Sequence, residues 1–177
     1  LPVVIEIDTY DDVEQFAGIA LPALAAHEPE NNLPIGILAS VRSGQYSDTP
    51  PFLAIARRDA EVVAVALRTP PYKMLLSYMP APGNDVTDAL ANAALERYGD
   101  ELPGVTADTA VASAFADAIA SRSGRNVLIA DRMRIYALTG VVEADRAAGT
   151  LRHAAEADRE LATGWIAAFH EEVAATP

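Results

Sequence analysis

Few side chains in this chain stand out for their chemistry. Its histidines are His27, His153 and His170. Histidine changes charge near neutral pH and is the commonest metal ligand. His153 and Glu156 are three residues apart, the spacing of one half of a di-iron helix site, which needs a second half and further carboxylates. The sequence holds no His-Glu-x-x-His, no cysteine and no Gly-x-Ser-x-Gly. Zinc-protease, thiolate and nucleophile-elbow chemistry therefore have no motif here, and no metal site is expected. The remaining candidates are polar groups at the ends of elements. Arg68, Thr69 and Tyr72 stand where an apolar run stops beside Pro70-Pro71, and strand exits are common ligand crevices in open sheets. Asn31 and Asn32 follow Glu28 at a helix start, and Arg134 and Tyr136 interrupt an apolar run. Asn31, Asn32, Arg68, Tyr72, Arg134 and Tyr136 are the candidate substrate-binding residues. Each also has an ordinary structural use, in capping, ion pairing or packing at the edge of the core.

The composition sets bounds on what these groups can serve. A net charge of −12 over 177 residues excludes a binder of nucleic acid or anionic membrane, which needs clustered positive charge. A hydrophobic share of 51% with 21% charged residues excludes global disorder. The absence of cysteine fits a cytoplasmic setting. No uncharged apolar stretch reaches the roughly 18 residues of a membrane span. The opening Leu1-Pro2-Val3-Val4 is not a signal peptide. Lys73 is the only lysine, so arginine carries almost all the positive charge.

The elements that must hold the candidate residues follow from periodicity and punctuation. Val3 to Ile7 reads as a strand. Asp8 or Thr9 is expected to cap a helix bearing Val13, Phe16, Ala17 and Ala20, with Pro22 kinking it or opening a second segment. A second helix carries Leu33, Ile37, Leu38 and Val41 and stops at Ser43-Gly44. Phe52–Arg57 and Glu61–Leu67 flank Arg58-Asp59-Ala60 as a hairpin. The second run is apolar on both faces, as a central strand covered on both sides must be. Lys73–Tyr78 is a third strand candidate. A helix after Asn84 carries Val86, Leu90, Ala94 and Tyr98, and Leu102-Pro103-Gly104-Val105 reads as a turn. Asp108 caps a helix with Val111, Phe115 and Ile119, closed by Ser123-Gly124. Val127–Ile129 and Arg134–Thr139 read as strand, and Arg152 to Ala174 as a final helix with Leu161, Trp165, Phe169 and Val173 four apart. The order implies an α/β or α+β fold, a mixed β-sheet with helices on both faces.

Several stretches, in order, carry a resemblance. They are Glu28–Leu38, Pro51–Ile55, Val62–Pro71, Leu102–Val105, Arg134–Thr139 and Gly149–Ala154, with Asp158, Trp165 and Phe169. The chain resembles the N-terminal part of two-part bacterial N-acetyltransferases of the GNAT superfamily. The resemblance implies a diverged GNAT-like domain over residues 1–150. It makes 151–177 a C-terminal helix that either leads to a catalytic domain or packs on the core. In such enzymes acetyl-CoA donates to an amine, and the pyrophosphate is held by Gln/Arg-x-x-Gly-x-Gly/Ala between a central strand and a helix. The matching place here is Met79-Pro80-Ala81-Pro82-Gly83-Asn84. Two prolines remove amide donors there, and Asp85 and Asp88 put negative charge in the first turn. Acetyl-CoA is thus expected for the longer family protein and not for this segment, which by itself is expected to be inactive. Ser121–Arg125, the other glycine-bearing turn, reads as a helix C-cap. The partner implied is a C-terminal GNAT domain or a second copy of the chain, with a small amine as substrate. No residue can be assigned as the catalytic base. The alternative is a non-catalytic module for small-ligand binding or dimerisation.

Overall fold

The computed structural model describes residues 4–46, 48–80, 83–143 and 148–174. The chain divides into two units, Leu1–Ala137 and Leu138–Pro177. The first unit is built on β1 (Ile5–Thr9), α1 (Val13–Ala25), α2 (Asn32–Arg42), β2 (Phe52–Arg58), β3 (Glu61–Arg68), β4 (Met74–Leu76), α3 (Asn84–Tyr98), β5 (Val105–Thr106) and α4 (Thr109–Ser123). The five strands form one sheet in the order β1-β2-β3-β4-β5. Neighbours are antiparallel except β4 and β5, which are parallel. A parallel pair needs a crossover, and α3 supplies it. With α5 (Arg159–Ala174) in the second unit, the described residues form an α+β fold with a five-stranded mixed sheet and five helices.

The sheet is covered on both faces, and alternation along β2 and β3 decides which side chain meets which helix. Leu53, Ile55, Val65 and Leu67 face Phe16, Ala20 and Leu24 of α1 and Leu38 of α2. Phe52, Ala54, Ala56, Ala64 and Ala66 lie in the opposite core with Val86, Leu90 and Ala94 of α3 and Val111 and Phe115 of α4. Alanines on the second face let α3 approach the sheet closely, and the helices supply the bulk. Each fully buried Leu, Ile or Phe contributes about 1.5–3 kcal/mol of transfer free energy. The central position expected for the Glu61–Leu67 run is met, since β3 lies between β2 and β4.

Several local expectations need correction. Thr9 belongs to β1, and the cap of α1 is Asp12, whose Oδ1 accepts from Glu14 N (2.8 Å) and Gln15 N (3.0 Å). α1 runs through Pro22 without a second segment. The proline ring removes one helical donor at the exposed Gly18 turn, where water can serve the freed carbonyl. The hairpin turn has two residues, because Arg58 pairs with Glu61. Asp59 and Ala60 both have positive φ, 50° and 69°, the pattern of a type I′ turn. The Leu102–Val105 stretch is not only a turn: Val105 opens the short β5, whose pairing with β4 no periodicity in two residues could reveal.

The largest correction falls on Val127–Ile129 and Arg134–Thr139. Residues 124–143 have no regular secondary structure, and Leu128, Ile129, Tyr136 and Leu138 are exposed. β propensity marks a segment that can join a ladder, but a strand exists only when a partner supplies the opposite row of donors and acceptors. In the second unit α5 begins at Arg159, seven residues later than the expected Arg152, after a 3-10 turn at Glu156–Asp158. Leu161, Trp165, Phe169 and Val173 lie on it exposed, Trp165 at 68%. No helix among the described residues is long and apolar enough to cross a membrane.

Candidate functional site

Two places in the first unit gather polar groups. One is the N-terminus of α3, which follows β4. The N-cap is Gly83, and Asn84 is the first helical residue, so the cap expected at Asn84 moves back by one. Arg58, at the end of β2, reaches across to Asp85 with Nη2–Oδ2 at 2.8 Å. This hydrogen bond, and a smaller one from the Val86 amide, hold the Asp85 carboxyl below its ordinary pKa. Gly83 has an unstrained φ of −73°, and Asp85 Oδ1 lies where a Cβ on it would stand, so a larger residue would have to displace that carboxylate. The positive end of α3 therefore already holds an anion, the protein's own carboxylate.

The second place is a cleft of about 450 Å³ at the end of β3. Its position follows from the sheet. Arg68 continues the Ala64-Ala66 face and so points to the side covered by α3. Tyr98 ends the α3 stripe, and Phe52 is the cross-strand partner of Arg68. The three stack: the Arg68 Cζ lies 4.0 Å from the Tyr98 ring centre, and the Phe52 and Tyr98 rings meet edge-on at 6.0 Å. Arg68 is buried at 4% exposure. Its Nε donates to the Tyr72 carbonyl at 2.8 Å, and its Nη2 to the Glu101 carbonyl at 3.2 Å. Among the described residues no carboxylate pairs with it, and its Nη1 has no partner. The Tyr98 hydroxyl is buried and also has no hydrogen-bond partner. Pro50, Pro70 and Pro71 give the cleft apolar walls, and Thr49, Arg97 and Glu101 complete the lining.

The six candidate residues do not meet in one place. Arg68 lines the cleft. Tyr72 contributes its carbonyl to Arg68, while its exposed ring meets Tyr46 edge-on at 6.4 Å. Asn31 is buried, and both ends of its amide bond to main chain: Nδ2 donates to the Leu24 carbonyl at 3.0 Å, and Oδ1 accepts from Tyr78 N at 2.7 Å. Asn32 is exposed and donates to the Pro29 carbonyl at 2.6 Å. Arg134 and Tyr136 are exposed on the irregular segment. Thr49, Arg97, Tyr98 and Glu101 were not among the candidates. Tyr98 reads as one more member of an apolar helix stripe, and only the packing of α3 against the end of β3 brings it to Arg68.

Among the described residues no group of three or more His, Cys, Asp or Glu could hold a metal ion. Glu156, three residues from His153, is engaged by Arg159 in a two-point pair at 2.5 and 2.8 Å. Compared with protein-family models, curated proteins and solved structures, the chain finds no match in any of the three.

Proposed function

We propose that this chain is a GNAT-like domain without an acetyl-CoA site of its own, serving an N-acetyltransferase whose acetyl-CoA binds on a separate GNAT domain. In the complete reaction an amine nitrogen attacks the thioester carbonyl, the C–S bond breaks, CoA leaves as thiolate, and the amine proton passes to a base or water. This chain would supply surface beside that reaction, in the cytoplasm, with a small amine as substrate. Support for the fold part comes from the α3 crossover between parallel β4 and β5 on an otherwise antiparallel sheet. The observation that carries the reading is the α3 N-terminus. Asp85, fixed by Arg58 and closed against Gly83, fills the place where a pyrophosphate would need free amides and positive potential. The exposed apolar stripe of α5 supports a covering partner, either a GNAT domain or a second copy of the chain.

Calorimetric titration of the 177-residue chain with acetyl-CoA tests this. The expected outcome is no saturable heat and no thermal shift. Saturable binding of acetyl-CoA would overturn the reading. A second reading, a module that binds a small ligand without catalysis, is favoured by the cleft at Arg68, where a buried guanidinium lacks a counter-ion.

A further inference from the structure

We propose that the cleft at the end of β3 is a binding site for a small monocarboxylate with an apolar body, seated on the free edge of Arg68. The inference rests on the ligand-binding reading just given.

Three observations converge on it. Arg68 is buried, and carbonyl oxygens and an aromatic face compensate its charge, with no described carboxylate paired to it. A buried charge of this kind is costly unless it finds an opposite charge. The two carbonyls hold Nε and Nη2, so the guanidinium cannot turn away, and Nη1 is left for a ligand oxygen. The Tyr98 hydroxyl is a buried polar group without a protein partner among the described residues, and a hydrogen-bonding atom placed within its reach would relieve the cost of that burial.

The lining selects the class of anion. Arg68 and Arg97 against Glu101 leave one net positive charge, which matches a monoanion. A doubly charged phosphate would exceed the single positive charge that the lining leaves. The proline walls suit an apolar body, and about 450 Å³ lies within the range of small-molecule sites. The site is at the opposite end of the sheet from the α3 N-terminus, because β4 runs from this end towards α3.

The test is calorimetric titration of the 177-residue chain with benzoate, with benzamide as its neutral isostere and with inorganic phosphate. Saturable benzoate binding is expected, at least tenfold tighter than either control. Arg68→Lys keeps the charge but loses the planar fork, and about a tenfold loss of benzoate affinity is expected. Tyr98→Phe removes only the orphan hydroxyl, and Arg97→Gln only an exposed charge, so both keep the fold. Each is expected to weaken benzoate several-fold. Silence with benzoate, equal binding of benzamide, tighter binding of phosphate, or unchanged affinity in both Tyr98→Phe and Arg97→Gln would overturn the proposal. Failure here leaves the acetyl-CoA reading standing. Saturable acetyl-CoA binding beside a good benzoate site would remove that reading and keep this one.

Discussion

Asn31→Ala should be among the most damaging polar-to-alanine changes in the first unit. Asn31 is 1% exposed, and its side chain ties the Leu24 carbonyl, which also accepts from His27 N, to the Tyr78 amide. It thereby fastens the turn after α1 to the chain leaving β4. Truncation leaves the part-buried Tyr78 amide without a partner and removes one bond to the Leu24 carbonyl, which still accepts from His27 N at 3.2 Å. The orphaned donor costs about 1–3 kcal/mol and the lost bond to Leu24 about 0.5–1.5 kcal/mol, so the loss is about 1.5–4.5 kcal/mol, a large part of a domain's usual ~5–15 kcal/mol. With a urea slope near 2 kcal/mol/M, a mid-range loss of about 3 kcal/mol lowers the unfolding midpoint by about 1.5 M. The assay is urea unfolding followed by circular dichroism, with the slope held as a check on two-state behaviour. Asn31→Asp separates the two bonds. It keeps the acceptor for Tyr78 N but sets a carboxylate oxygen against the Leu24 carbonyl. That raises the carboxyl's folded pKa, so the variant is weakest at neutral pH and regains stability as the carboxyl protonates and donates. A midpoint change under about 0.5 M for Asn31→Ala, below ~1 kcal/mol at that slope, would refute the reasoning and return Asn31 to the list of ligand contacts.

Other outcomes follow from the same structure. Ala60→Gly should stabilise the chain by about 0.5–1 kcal/mol, since relief of a left-handed alanine, worth ~1–2 kcal/mol, exceeds the added entropy of an unfolded glycine; thermal unfolding measures it. Asp158 receives Arg152 and the Ala155 amide, which hold its carboxyl down from 3.8 to about 2. The pKa is depressed, so its support of the start of α5 is complete above about pH 4 and fades as the pH falls towards 2. The helical circular dichroism signal should drop over that window, and Asp158→Asn should remove that part of the pH dependence. Ile135→Pro should change stability by less than ~0.5 kcal/mol, because residues 124–143 form no ladder for a proline to break. A loss above about 2 kcal/mol in urea unfolding would mean that the segment is paired in solution.

Much of the scaffold was legible from local pattern. Asp108 and Gly124 bracket α4 as a side-chain cap and a left-handed residue should, with Asp108 Oδ1 accepting from Ala110 N at 2.9 Å and Gly124 at φ 71°. The stripe Val86, Leu90 and Ala94 is buried as four-residue spacing requires. Pattern was a poor guide where two competent groups competed. Asp8, Thr9 and Asp12 can all cap a helix, and the register of β1 on β2 took the first two into the strand. Of the candidate residues Arg68 was picked out because it ends an apolar strand, and it is the one whose side chain lines the cleft. Tyr98 and the Glu101 carbonyl were out of reach, because thirty residues separate Arg68 from Tyr98 and only the α3 crossover returns the chain.

The sequence by itself determined the helices and the four longer strands of the first unit, the two-faced burial of the central strand and the net acidity. These depend on neighbours three, four or two residues apart, and on composition. Tertiary structure decided which carboxylate fills the start of α3, which buried cation goes without a counter-ion, and that Val127–Thr139 has no strand partner. Those outcomes depend on which distant groups are brought within bonding distance, and a hydrogen bond or ion pair exists only between groups that meet.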